Sequence, residues 1–132
     1  MIYAVIDTNV LVSALITHNP EAATAKVVKS LLNQSFVPMY DADIIAEYNE
    51  VLHREKFPIL PDVADALISY IIEHGVEASR VDYAETMPDE DDRVFYEVSL
   101  SNDDSFLVTG NLKHYPLSPR VITPTAFIDL LG

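Results

Sequence analysis

Apolar runs of strand length alternate along this chain with longer amphipathic segments, and that alternation predicts an α/β fold around a mostly parallel sheet of four or five strands. The runs that read as strands are Ile2 to Ile6, Phe36 to Met39, Phe106 to Thr109 and Val121 to Ile122, with a weaker extended piece at Arg80 to Tyr83. Helical spacing marks Glu21 to Asn33, Asp43 to His53, Pro61 to His74, Glu90 to Leu100 and Pro124 to Leu131. Thr123 before Pro124 is an N-cap with proline at the first helical position, and Gly75 after His74 is a helix stop. The stretch "EKFPILPD" (55–62) breaks one helix and opens the next through two prolines. Repeats, low-complexity stretches and linkers are absent, so residues 1–132 are expected to form a single domain.

The first strand runs straight into an acid, in "VIDTN" (5–9), and an ionised carboxylate is costly to desolvate without a partner. In a parallel α/β sheet the carboxyl ends of the strands and the amino ends of the following helices share one edge, where ligands bind. That edge receives Asp7 and Asn9 from the first strand end and Glu47 from the flank of the apolar stripe on the helix after the second strand. Asp43 and Glu50 of that helix are expected to project further toward water. The amino end of the helix in "PDEDDRVF" (88–95) brings Asp91 or Asp92, and "FLVTGN" (106–111) brings Thr109 and Asn111. Carboxylates gathered this way raise one another's pKa unless a cation sits among them. Oxygen ligands without cysteine select Mg²⁺ or Mn²⁺ over zinc. Such ions polarise a phosphodiester and activate water for attack at phosphorus.

Each acid alone also has a plainer reading. Asp7 can begin a turn by accepting a backbone hydrogen bond, and Asp41, Asp89, Glu90 and Asp91 are of the types that cap helices. Asp103 and Asp104 read as a solvated turn. The histidines at 18, 53, 74 and 114 show no i, i+4 ligand pair, so no histidine metal site is expected.

Composition narrows the picture. With 49% hydrophobic and 22% charged residues the chain is an ordinary globular sequence, and without cysteine it is neither a disulfide scaffold nor a thiol enzyme. Its N-terminus lacks a basic leader and no stretch approaches the ~18 apolar residues of a membrane span, so a cytoplasmic location away from membranes is expected. The net charge of −13, from 8 Lys+Arg against 21 Asp+Glu, argues against a basic nucleic-acid footprint. Acids concentrated around divalent cations, with a basic partner protein covering other surfaces, reconcile that charge with a nucleic-acid substrate.

Taken in order, "VIDTNVLVSAL" (5–15), "EYNEVLHREKF" (47–57), "DEDDRVFYEVSL" (89–100), "FLVTGNLKHYP" (106–116) and "VITPTAFIDLL" (121–131) closely resemble a PIN-domain protein, specifically the toxin branch of prokaryotic toxin-antitoxin systems. The resemblance implies a three-layer α/β/α sandwich and a Mg²⁺- or Mn²⁺-dependent endoribonuclease. Carried over by motif, it implies Asp7, Glu47 and Asp92 as catalytic, metal-binding acids, with Asp91 the alternative to Asp92. The fourth metal position, commonly acidic, is Asn111 here, which removes one charge from the cage. Thr8, Asn9, Asp91 and Thr109 would support the ligands, and Arg54, Lys56, Arg93 and Lys113 are candidates for holding phosphates. RNA as substrate, a small basic antitoxin as partner and a homodimer are further implications. Two rival readings remain: a PIN domain that binds without cutting, and, well behind it, a haloacid dehalogenase-like phosphatase, for which the general acid is missing because Asn9 stands in its place.

Overall fold

The computed structural model describes residues 1–132. Five strands form one all-parallel sheet: β1 (Tyr3–Ile6), β2 (Val37–Tyr40), β3 (Val76–Glu77), β4 (Phe106–Val108) and β5 (Val121–Ile122), in the order β3-β2-β1-β4-β5. Six helices accompany it: α1 (Thr8–Ile16), α2 (Ala23–Leu32), α3 (Ala42–Leu52), α4 (Pro61–His74), α5 (Arg93–Ser99) and α6 (Pro124–Leu131). The crossovers run outward from β1 to β3 and then reverse to β4, so right-handed connections leave helices on both faces, in the three-layer arrangement expected. The reversal makes a topological switch point between the carboxyl ends of β1 and β4.

β1 sits at the centre of the sheet, and Ala4, Val5 and Ile6 are buried on both sides. α5 packs across β1, β2 and β4, and Phe95 to Ser99 are all buried there. On α6, Phe127 meets Phe36 edge-on with ring centroids 4.9 Å apart, tying the C-terminal helix to the entry of β2. β2 contains Pro38, which has no N–H to offer; pairing with β3 begins only at Met39, one residue further on.

Three expectations shift. The segment after Asp7, which the helical spacing left unassigned, is α1; its run Val10-Leu11-Val12 and Ala14-Leu15-Ile16 is too uniformly apolar to show an amphipathic period. The weak strand at Arg80 to Tyr83 does not form, and the edge strand is Val76–Glu77, directly after Gly75. Gly75 ends α4 with ordinary extended angles (φ −95°); what demands glycine is space, since a Cβ there would lie 2.4 Å from the Ile71 carbonyl oxygen and 2.6 Å from that of Pro38. Finally, Glu90–Asp92 is a 3-10 turn that leads into α5 rather than its first α-helical turn.

Candidate active site

The carboxyl edge of the sheet carries a cleft of about 430 Å³. Five acids line it, namely Asp7, Glu47, Asp89, Asp91 and Asp92, and so do Thr8, Asn9 and His114; no lysine or arginine does. The apolar part of its wall is Val12, Val51 and Phe57.

Asp7 stands where β1 gives way to α1. Its N–H continues the ladder to the Val108 carbonyl at 2.9 Å, and its side chain does not cap the helix. Instead one carboxylate oxygen, Oδ2, accepts from the hydroxyls of Thr109 and Tyr115, both at 2.8 Å. The residue is only 4% exposed. Burial pushes its carboxyl above the usual range, and the Tyr115 and Thr109 hydrogen bonds offset only part of that. Tyr115 is itself raised well above the usual phenol range by burial and by Asp7, so it stays protonated as a donor.

Glu47 reaches the cleft from α3, and its Oε2 accepts from the Thr8 hydroxyl at the start of α1. Burial raises its carboxyl too, with Asp7 adding to the effect against the Thr8 hydrogen bond. One residue on, Tyr48 points inward and donates to the Ile6 carbonyl, which docks α3 against the end of β1. Asn9 closes the gap toward β4 by accepting from the Gly110 N–H at 3.2 Å.

The third acid arrives at the amino end of α5. Burial and the charge of Asp7 raise the Asp92 carboxyl to about 6, and the hydrogen bond from His114 restrains it. His114 Nδ1 lies 2.8 Å from Asp92 Oδ2 and 3.5 Å from Asp89 Oδ2. On the other side of the ring, Nε2 is 2.7 Å from the Asn111 amide nitrogen. Asp89, Asp92 and His114 together offer donor atoms within 4.8 Å of one another. A histidine thus stands against two acids of the cleft, a neighbour that the i, i+4 criterion did not reveal. The useful spacing was i, i+3 rather than i, i+4: Asn111 precedes the 3-10 turn Leu112–His114, so 111 and 114 stack. Asp89 and Asp92 are related by the same interval across the turn Glu90–Asp92.

The long connection before α5 is held by ions. Glu97, only 4% exposed, accepts from Arg80 at 2.6 Å and from the Tyr83 N–H at 2.9 Å. Burial opposes its charge, yet these bonds keep its carboxyl below the usual range. Arg93 completes the brace by donating to the Tyr83 and Glu85 carbonyls and to Glu90.

The structure therefore gathers Asp7, Thr8, Asn9, Glu47, Asp91 and Asp92 around one cleft. Thr109 stands behind Asp7, and Asn111 faces His114. The four cations named as phosphate candidates lie outside the lining. Arg93 is taken up by the brace, Arg54 grips Glu50 at 2.9 Å, Lys56 lies 5.2 Å over the Phe57 ring, and Lys113 is exposed without an ion-pair partner. Tyr115 was not anticipated; an aromatic in "KHYP" carries no signal of its own that it will reach back to β1.

Comparison with known families gives one match, to the PIN domain, over residues 3–113. No curated protein and no solved structure matches the chain.

Proposed function

This chain belongs to the PIN-domain family, whose members are generally metal-dependent nucleases, and we propose that it is a Mg²⁺- or Mn²⁺-dependent endoribonuclease acting as the toxin of a toxin-antitoxin pair. The observation that carries the reading is the cleft at the switch point. There Asp7, Glu47 and Asp92 come from three separate elements, all with carboxyls raised by burial, and no lysine or arginine lines the cleft beside them. Oxygen donors in that electrostatic state fit a hard divalent cation.

Asp7, Glu47 and Asp92 would hold the ion. When bound, it supplies polarisation of a phosphodiester and neutralises the charge that develops during hydrolysis. Thr109 and Tyr115 hold Oδ2 of Asp7, and Asp7 so fixed would help hold the cation. Thr8 fixes one oxygen of Glu47, and the other would either hold the ion through water or take the proton from the attacking water. Val12, Val51 and Phe57 offer an apolar wall for a sugar or base. No Lys or Arg in the lining is placed to meet the substrate's phosphates, a charge that a bound cation would offset.

The toxin role, a small basic antitoxin as partner, a homodimer and a single domain over 1–132 belong to the same proposal. The charge of −13 supports a basic partner. A second reading, a domain that binds without cutting, draws on Asn111, whose neutral amide replaces an acid. The phosphatase reading loses ground, because Asn9 bonds the Gly110 backbone where a general acid would be needed. The test is incubation of the purified protein with structured RNAs, with and without Mn²⁺, beside Asp7→Asn and Asp92→Asn. Metal-dependent cleavage lost in both variants supports the nuclease. Cleavage that survives EDTA or both substitutions defeats it.

A further inference from the structure

The amide at position 111 leaves an open question: what an asparagine does where an acid is usual. We infer that Asn111 acts through His114, and that His114 is the positioning residue for Asp92. The inference rests on the proposed function only in taking Asp92 as a cation ligand.

Donors and acceptors fix the arrangement. Ionised Asp92 and Asp89 can only accept, and both face His114 Nδ1, at 2.8 Å and 3.5 Å. Nδ1 therefore carries a hydrogen. In a neutral imidazole Nε2 is then an acceptor and needs a donor. The group at 2.7 Å is the Asn111 amide nitrogen, which supplies one. A carboxylate at 111 cannot donate to Nε2; it would turn the ring or force a second proton onto it. A neutral amide is thus the residue type that keeps His114 as the Nδ1–H tautomer and its N–H on Asp92.

The same asparagine is fixed at its backbone. Its N–H donates to the Thr109 hydroxyl oxygen at 3.0 Å, and that hydroxyl donates to Asp7 Oδ2 at 2.8 Å. A continuous line of hydrogen bonds thereby runs Asp92–His114–Asn111–Thr109–Asp7 and joins the two carboxylates across the switch point. Partners of this kind orient ligands and set their basicity, and their loss typically weakens metal affinity about 10–100-fold.

The test uses the full chain. Long-range proton–nitrogen spectra of the ¹⁵N-labelled protein at pH 8 report the tautomer of each of the four histidines, with His114 assigned by its absence in His114→Ala. The expected pattern is a protonated Nδ1 and a bare Nε2, unchanged by Mg²⁺. An Nε2–H pattern, or a Mg²⁺-induced shift of a ring nitrogen that marks direct ligation, overturns the inference. Mn²⁺ titration by calorimetry supplies the second readout. His114→Ala should bind about tenfold or more weakly. His114→Asn, whose Nδ2–H can take the place of Nδ1–H on Asp92, should retain most of the affinity. Equal loss in both variants makes the ring a ligand and overturns positioning, and no loss in either overturns any role for His114. Should His114→Ala fail to fold, the wild-type and Asn111→Asp spectra decide alone: Asn111→Asp should shift the ring to an Nε2–H or doubly protonated form, and an unchanged Nδ1–H, bare Nε2 pattern overturns the role of Asn111. Cleavage of RNA enters none of these readouts. A fixed tautomer in a protein that cuts no RNA defeats the nuclease and spares the inference.

Discussion

Replacing Asp92 by asparagine should stabilise the cation-free protein at neutral pH. Burial and the neighbouring Asp7 raise the Asp92 carboxyl from 3.8 to about 6. A carboxyl whose folded pKa exceeds its unfolded value binds its proton more tightly when folded. Its charge therefore carries no penalty below about pH 4; the penalty grows as pH rises and is complete above about pH 6. A displacement of this size corresponds to about 3 kcal/mol. The side chain is 14% exposed, so screening by water removes only part of that, and we take about 1–2 kcal/mol as the gain in Asp92→Asn. The amide oxygen can still accept from His114, which keeps the substitution local. For a domain of this length each kcal/mol moves Tm by roughly 3–5 °C. Calorimetric melts in EDTA should place Asp92→Asn roughly 3–10 °C above wild type at pH 7.5, with the two converging near pH 4. A divalent ion at a hundred times its Kd should stabilise wild type by about 2.7 kcal/mol and the variant by far less. A variant that melts below wild type at pH 7.5, or that gains as much from the cation, would refute this electrostatic account of the cleft.

Two further outcomes follow from the geometry. Tyr115→Phe removes one of the two hydroxyls on Asp7 Oδ2, so Mn²⁺ affinity measured by calorimetry should fall about tenfold in a protein that still folds; unchanged affinity counts against Tyr115 as the group that orients Asp7. Gly75→Ala drives a Cβ into two backbone oxygens at 2.4 and 2.6 Å, which should cost about 2–3 kcal/mol in urea unfolding, whereas a loss under about 0.5 kcal/mol would mean that β2 and the end of α4 can part freely.

What could be read from the sequence follows the range of the interactions involved. β5 and α4 are legible to the residue because their limits are set locally, by the turn before Thr123 and by Pro61 and Gly75. α1 was not, because a helix covered on several sides loses its polar stripe, and with it the period that announces a helix. The carboxylates were legible because strand ends and helix starts share an edge in any parallel sheet. Their supports were less so. Thr8 and Thr109 stand beside motif residues, but Tyr115 reaches Asp7 across 108 positions. His114 and Asp89 become neighbours only once two 3-10 turns are in place, and such turns leave almost no trace in hydropathy.

The distribution of cations decides how this acidic chain can meet a polyanion. Lys26 pairs with Glu21, Arg54 with Glu50, Arg80 and Arg93 with Glu97, and Arg120 binds the carbonyls of Ser99 and Asn102. Of eight basic side chains this leaves Lys29, Lys56 and Lys113 with neither an ion pair nor a carbonyl to bind, and none of the three lines the cleft. On the proposed function, a cleft with five acids and no cation repels the phosphates it must bind. Binding of substrate then requires the same ion as hydrolysis, so metal supply governs both together. Ordinary counterion release, in which each neutralised phosphate adds to the salt dependence, would contribute little here, because few protein cations are free to displace counterions.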